Sequence, residues 1–294
     1  MKRSVPFADY FKNSDIRSLL RFAYRGISCR VLLIMSFEMA STTTTGSLAS
    51  AVLAAGKSTR MKAETNKVLL PILGKPMIRY QVEAIRAAGI EKIFLIVGYQ
   101  AEQVQAELGA EVGYILQAEP KGTGHAMIQA RKKLLSLGPG LDVAVTVGDN
   151  PYITAEILKK LVHVHRQSRA AATIVTAVFD SPPPYGRVIR DGRGRVLKVV
   201  EECDATPEER LIKEVHVSIY CFQAAVVLPL LDEIKNDNAK KEYFLTDIVG
   251  ILTGHGHRVE TLASDDPHIT LGINTPEELA EAEKFFSEKR GLTP

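Results

Sequence analysis

The chain has 294 residues, of which 46% are apolar and 24% charged, with a formal net charge of +3; such values permit a packed core and exclude whole-chain disorder. The charge is too small to indicate a nucleic-acid partner, and no Lys/Arg stripe interleaved with aromatics occurs. Cys29, Cys203 and Cys221 are too few and too scattered for a disulfide framework or zinc knuckle, which fits reduced thiols in a cytoplasmic protein, and the longest apolar run, Val31–Phe37, falls far short of the roughly 20 residues that span a bilayer.

In chain order, residues 1–30 carry seven Lys/Arg against two Asp. Met39–Ser47 (MASTTTTGS) then reads as a linker. Residues 1–47 are expected to be an N-terminal extension, disordered or a surplus start; Asp9 and Asp15 sit awkwardly in the alternative, a targeting peptide. One domain is expected over 48–288, with a tail at 289–294.

LASAVLA is a buried strand. PMIRYQVEAIRAAG is a helix with Met77, Ile78, Val82 and Ile85 on one face, opened by a proline and closed by Gly89. KIFLIVG is a strand, AEQVQAELG a helix, GYILQ a strand and GHAMIQARKKLL a helix. LDVAVTVGD is another buried strand, and AEILKKLVHVHRQ a helix. Strands without a polar face, alternating with helices, predict an α/β, Rossmann-like, mostly parallel sheet covered on both faces. The second half (ATIVTAVF, GRVIR, GRVLKVVEE, VHVSIYCF) predicts strands joined by short turns, an antiparallel insertion among the α/β units. YFLTDIVGILTGHG is expected as a helix, HRVETLA as a strand, and TPEELAEAEKFF as a final helix capped by Thr275.

Ligands of such sheets bind beyond the carboxyl ends of the strands. Two segments fall there, the loop after Ala54 and Gly148-Asp149. The first, Ala51–Arg60 (AVLAAGKSTR), carries the Gly56-Lys57-Ser58 end of a Walker A signature. Its first glycine would fall at Ala51, inside the strand, so this is a different cradle. Small residues there admit a nucleotide close to the backbone, and Lys57 and Arg60 can meet a triphosphate's charge.

LAAGKSTRM followed by KVLLPILGKPM resembles the nucleotidyltransferases that make nucleotide-sugars, whose signature is close to L-A-A-G-x-G-T-R-M, then P-K-x-L and G-K-P-M. LQAEPKGTGHA, GDNPYI, YGRVI, VVEECDAT, NAKKEYFLTD and GINTPEEL follow in order. Over about residues 49–285 the chain is similar to the uridyltransferase domain that makes UDP-N-acetylglucosamine from N-acetylglucosamine 1-phosphate, a cell-envelope precursor. The bacterial bifunctional form adds an acetyltransferase domain. The resemblance implies a nucleotide-diphospho-sugar transferase fold, small-molecule partners (a nucleoside triphosphate, UTP, and a sugar 1-phosphate) and Mg²⁺ as cofactor, with no nucleic acid and no membrane. It implies Arg60, Lys67 and Asp149 as catalytic residues and Asp149 and Asn274 as metal ligands. Leu53, Ala54, Ala55, Gly56, Gln117, Gly122 and Thr123 would hold the nucleotide; Gly186, Glu201 and His216 would hold the sugar.

Six positions depart from the family pattern. Ser58 replaces a glycine, Asn66 the proline before the lysine, Val147 a tyrosine and Cys203 a lysine. His216 and Ser218 stand where the family has the Asn and Gly of E-x-N-x-G. The alternatives are the same chemistry with another nucleotide or acceptor, and a non-catalytic relative that binds a nucleotide-sugar. His163 and His165, two apart on a helix, do not share a face, and a histidine zinc site is not expected.

Overall fold

The structure is a computed structural model that describes residues 46–57, 61 and 65–291. The expectations for residues 1–45, and for Ser58 and Arg60, lie outside the described residues. In chain order the elements are β1 (Leu48–Ala54), a 3-10 turn at Lys67–Leu69, β2 (Pro71–Ile72), β3 (Lys75–Pro76), α1 (Met77–Ala87), β4 (Lys92–Val97), α2 (Ala101–Leu108), β5 (Gly113–Leu116), α3 (Thr123–Leu135), β6 (Asp142–Val147) and α4 (Ala155–Ser168). They continue through β7 (Ala172–Val178), β8 (Arg187–Arg190), β9 (Val196–Val200), α5 (Pro207–Arg210), β10 (Glu214–Gln223), α6 (Ala224–Leu230), α7 (Asp247–Gly254), β11 (Val259–Ala263) and α8 (Pro276–Lys289).

The main sheet runs β11-β7-β10-β6-β1-β4-β5. β1 pairs in parallel with both β4 and β6, and β7 with β11, while β10 runs antiparallel between β6 and β7. This is the expected mostly parallel sheet. It corrects one detail: β7 and β10 belong to the main sheet, and only the β8–β9 hairpin stands off it, joined through Val215↔Arg187. The reason lies in β10, which is apolar on both faces (Val215, Val217 and Ile219 on one side of the chain, Tyr220, Cys221 and Phe222 further on) and is buried almost throughout. A strand of that kind belongs inside a sheet.

Alternate side chains of each strand feed two cores. One holds Ala49, Ala51, Phe94, Ile96, Val143, Val145 and Phe222 against α3, α6 and α7. The other holds Val52, Ala54, Leu95, Val97, Ala144 and Cys221 against α1, α2 and α4. The helix α6 was not anticipated, and α7 starts at Asp247 rather than Tyr243 because residues 243–245 bond to the loop before α3 instead of to a helix. A third cluster, Ile72, Met77, Tyr80, Tyr152 and Ile273, seats α8 through Phe285 and Phe286. His163 is exposed and His165 buried, as their spacing requires. Among the described residues no helix is long and apolar enough to cross a membrane.

Candidate active site

β1 lies between β4 and β6; the chain goes on from β1 to β4, toward one edge of the sheet, and from β6 to β7, toward the opposite edge. The loops after Ala54 and Val147 therefore meet over a switch point, where α/β sheets bind ligands. Gly148 N–H donates to Leu53 O at 2.8 Å, tying the loop after β6 to the end of β1. A Cβ on Gly148 would come within 3.0 Å of Ala54 Cβ. A side chain there would have to push its neighbours back by a few tenths of an ångström.

A cleft of about 420 Å³ opens here, lined by Leu53, Ala54, Ala55, Gly56, Lys57, Lys67, Gln117, Gly122, Thr123, Val147, Asp149 and Glu242 among others. The expected nucleotide residues thus converge, together with Lys67 and Asp149. Gln117 is 4% exposed. Its Nε2 donates to Gly122 O at 3.0 Å and faces His125 Nδ1 at 2.9 Å, which turns the amide oxygen to the remaining direction as an acceptor for a ligand N–H. Gly122 adopts φ +109°, and a Cβ there would lie 2.6 Å from Tyr243 O.

At the rim, Lys67 Nζ lies 2.6 Å from Asp149 Oδ2 and 3.0 Å from Asn274 Oδ1. Lys67 is brought there by the 3-10 turn after Asn66, Asp149 by the end of β6, and Asn274 by the approach to α8. Asn274 Nδ2 donates to Gly272 O, which aims its oxygen at the lysine. Ile273 N–H donates to Asp149 O at 2.8 Å, and Glu278 accepts from the N–H groups of Asn274 and Thr275 in a capping box. Two oxygen donors and one ammonium, contributed by segments 82 and 125 residues apart, therefore form one cluster. Arg60, expected beside them, lies outside the described residues. The described residues contain no group of three or more His, Cys, Asp or Glu side chains able to hold a metal.

A smaller recess of about 160 Å³ adjoins the cleft and shares Leu53, Thr123, Val147 and Glu242 with it; its other walls include Glu201, Ser218, Tyr220 and Thr246. Glu201 accepts from Thr246 Oγ1 at 2.8 Å. Burial raises its carboxyl above the ordinary carboxylate range, against the lowering effect of that hydrogen bond. Gly186 packs on this side chain, its would-be Cβ 3.7 Å from Glu201 Oε1 and 2.8 Å from Val199 Cγ1.

His216 is placed differently from the expected sugar contact. It donates its N–H to Gly186 O, yet it is 3% exposed and does not line the recess. Burial lowers its pKa to about 3, so the ring is neutral. Nδ1 accepts from Ser218 N–H, and Nε2 is buried with no partner among the described residues.

Three features escaped the sequence reading. Gln81, fully buried on α1, donates to the carbonyls of Val147 and Asn150 and so clasps the Asp149 turn from below. Asn150 donates to Ile269 O and accepts from Tyr152 N–H. Residues 242–246 form a strap: Tyr243 N–H donates to Lys121 O, Gly124 N–H to Tyr243 O, and Leu245 N–H to Thr123 Oγ1. A signal existed for Gln81, a polar side chain three residues after Ile78 on the apolar face; the strap lies within the motif NAKKEYFLTD, but nothing local showed that it bonds to the start of α3.

Residues 49–267 match the nucleotidyl transferase family. The bifunctional protein GlmU of Pelotomaculum thermopropionicum is 47% identical over 247 residues, covering 82% of this chain and 52% of that protein. GlmU of Bacillus subtilis is 40% identical over 238 residues, 81% of this chain and 52% of that protein. The chain spans about half the length of these curated relatives. A candidate glucose-1-phosphate thymidylyltransferase of Bacillus anthracis, solved in complex with a sucrose, shares the fold with a TM-score of 0.65 at 20% identity, over 81% of this chain and 94% of that one. Because the family match begins in β1 and takes in every residue that lines the cleft, the chain belongs to the nucleotidyl transferase family and is a nucleotidyltransferase.

Proposed function

We propose that the enzyme transfers UMP from UTP to a sugar 1-phosphate, N-acetylglucosamine 1-phosphate, forming UDP-N-acetylglucosamine and pyrophosphate. An oxygen of the sugar phosphate attacks the α-phosphorus, and the bond to the pyrophosphate oxygen breaks. Two polyanions must meet, so the protein's task is positioning and charge neutralisation. The observation that carries the reading is the Lys67–Asp149–Asn274 cluster at the rim of the cleft. Lys67 neutralises phosphate charge beside the reacting centre, and Arg60 receives the outgoing pyrophosphate. Gln117 and the backbone at Gly122 meet the base edge. Glu201 accepts from sugar hydroxyls in the adjoining recess.

The donor set also fits Mg²⁺, which takes oxygen ligands from one or two side chains and completes its shell with phosphates and water. Asp149 Oδ2 and Asn274 Oδ1 already converge on one cation, the Lys67 ammonium. Bound there, Mg²⁺ would supply neutralisation of the phosphate oxygens.

The test is pyrophosphate release by the purified chain with Mg²⁺, each nucleoside triphosphate in turn and a panel of sugar 1-phosphates. Release confined to UTP with N-acetylglucosamine 1-phosphate is the expected result. Release with another pair reassigns the substrates, and silence with nucleotide binding intact indicates a non-catalytic binding protein.

A further inference from the structure

We propose that Asn66 is a positioning residue that fixes Lys67 relative to the nucleotide cradle. Asn66 is 1% exposed and makes contacts in three directions. Its Oδ1 accepts from Val68 N–H at 3.2 Å and caps the turn that presents Lys67. Its Nδ2 donates to Tyr99 O at 2.6 Å. Its backbone N–H donates to Gln103 Oε1 at 3.3 Å.

The Tyr99 peptide is the informative partner. Tyr99 N–H donates to Ala55 O at 3.3 Å, inside the loop that floors the cleft. The neighbouring Gly98 is wedged so tightly that a Cβ would lie 2.8 Å from Gln117 O and 2.9 Å from Ala55 O. The loop at 98–99 thus touches both the phosphate end and the base end of the cleft. Asn66 is what hydrogen-bonds the lysine turn to it. The turn is also held by Asn66 N–H on Gln103, Met77 N–H on Leu70 O and the buried Val68 side chain, but none of these contacts the loop at 98–99.

The backbone at Asn66 (φ −54°, ψ 131°) lies within the range that proline permits. The proline of the family pattern would restrict φ and donate no hydrogen bond. This chain reaches the same backbone shape with three hydrogen bonds, one of which ties the turn to the cradle. Proximity catalysis is sensitive to displacements of about 1 Å, so the bond should act on turnover more than on nucleotide capture.

This inference rests on the proposed function, and its test separates the two. Asn66→Ser keeps an oxygen for the cap and is too short to reach Tyr99 O; Asn66→Ala loses both bonds. Pyrophosphate release is measured for each variant, alone and combined with Lys67→Ala, and amide exchange is followed over residues 67–70. The expected result is kcat lowered roughly tenfold in either single variant, nucleotide KM unchanged within about twofold, and faster exchange over 67–70. In the Lys67→Ala background neither change lowers the residual rate further. An unaltered kcat in a folded Asn66→Ser protein, or the same tenfold loss without Lys67, overturns the proposal. A wild-type chain inert toward every substrate pair overturns the proposed function instead. Exchange then decides alone: faster exchange in Asn66→Ser supports the positioning role and unchanged exchange overturns it.

Discussion

The backbone N–H of Ser218 donates to Nδ1 of His216 across 3.3 Å, and Ser218 itself adopts φ +56°. The pairing of β10 with β7 shifts register between His216 and Tyr220, so the bond closes a bulge. The family pattern has glycine at the second position, and the backbone explains it: the left-handed region favours glycine. Ser218→Gly is expected to stabilise the fold by about 0.5 kcal/mol, relief of strain outweighing the added freedom of the unfolded chain. Ser218→Val should destabilise it by about 2 kcal/mol. Urea unfolding with unchanged m-values measures both.

Lys67→Ala and Asp149→Ala each remove one member of the rim cluster. Both should fold and lose roughly 10²–10³-fold in kcat, the scale of one electrostatic contact at a reacting centre. Steady-state pyrophosphate assays beside thermal unfolding curves check this. Near-normal turnover in either variant removes the role assigned to that residue.

The same cluster predicts competition. The Lys67 ammonium bridges the two oxygens proposed to hold a divalent cation, so its removal leaves them to the ion. Without nucleotide, Lys67→Ala should bind Mn²⁺ roughly tenfold more tightly than wild type, measured by calorimetry. Equal or weaker binding counts against Asp149 and Asn274 as the donor pair.

Gly122→Ala meets two obstacles at once, φ +109° and the Tyr243 carbonyl 2.6 Å from the new methyl. A loss of about 2–3 kcal/mol is expected, with weakened nucleotide binding because Gly122 also holds Gln117. Denaturant titration and nucleotide calorimetry report the two effects separately.

Asp247, in the first turn of α7, has its pKa raised to about 6 by burial and by the nearby carboxylates of Glu201, Asp204 and Asp237. A folded pKa above the unfolded value means the native state binds the extra proton, so stability falls as pH rises from about 4 through 6. Asp247→Asn should remove that slope. Discounted for solvent screening and for the lost helix-dipole interaction, the gain near pH 7.5 is about 1 kcal/mol. Unfolding free energies from pH 4 to 8 test it; parallel curves for the two proteins would be the contrary result.

The parts legible in the sequence are those with a local signature. Continuous apolar runs marked β1, β4 and β6, and the strand ends at Ala54 and Val147 marked the cleft. Asn66 registered as a substitution whose purpose stayed hidden, because its partner Tyr99 O is a backbone atom 33 residues away. Gln81 acts on carbonyls 66 and 69 residues distant. The strand β10 read as part of an insertion because nothing local distinguishes an antiparallel strand inside a sheet from one at its edge. His216 occupied a motif position yet turned inward, since a buried ring packed at a tilt against Tyr220, centroids 4.5 Å apart, fits the bulge.

The strap at 242–246 has a further consequence. One stretch of five residues grips the platform beneath the nucleotide through Thr123 and Gly124 and, at Thr246, holds the carboxylate proposed to greet the acceptor. A displacement of this one segment would therefore disturb the floor of the cleft and that carboxylate together, so neither wall can be reshaped by a change here without the other.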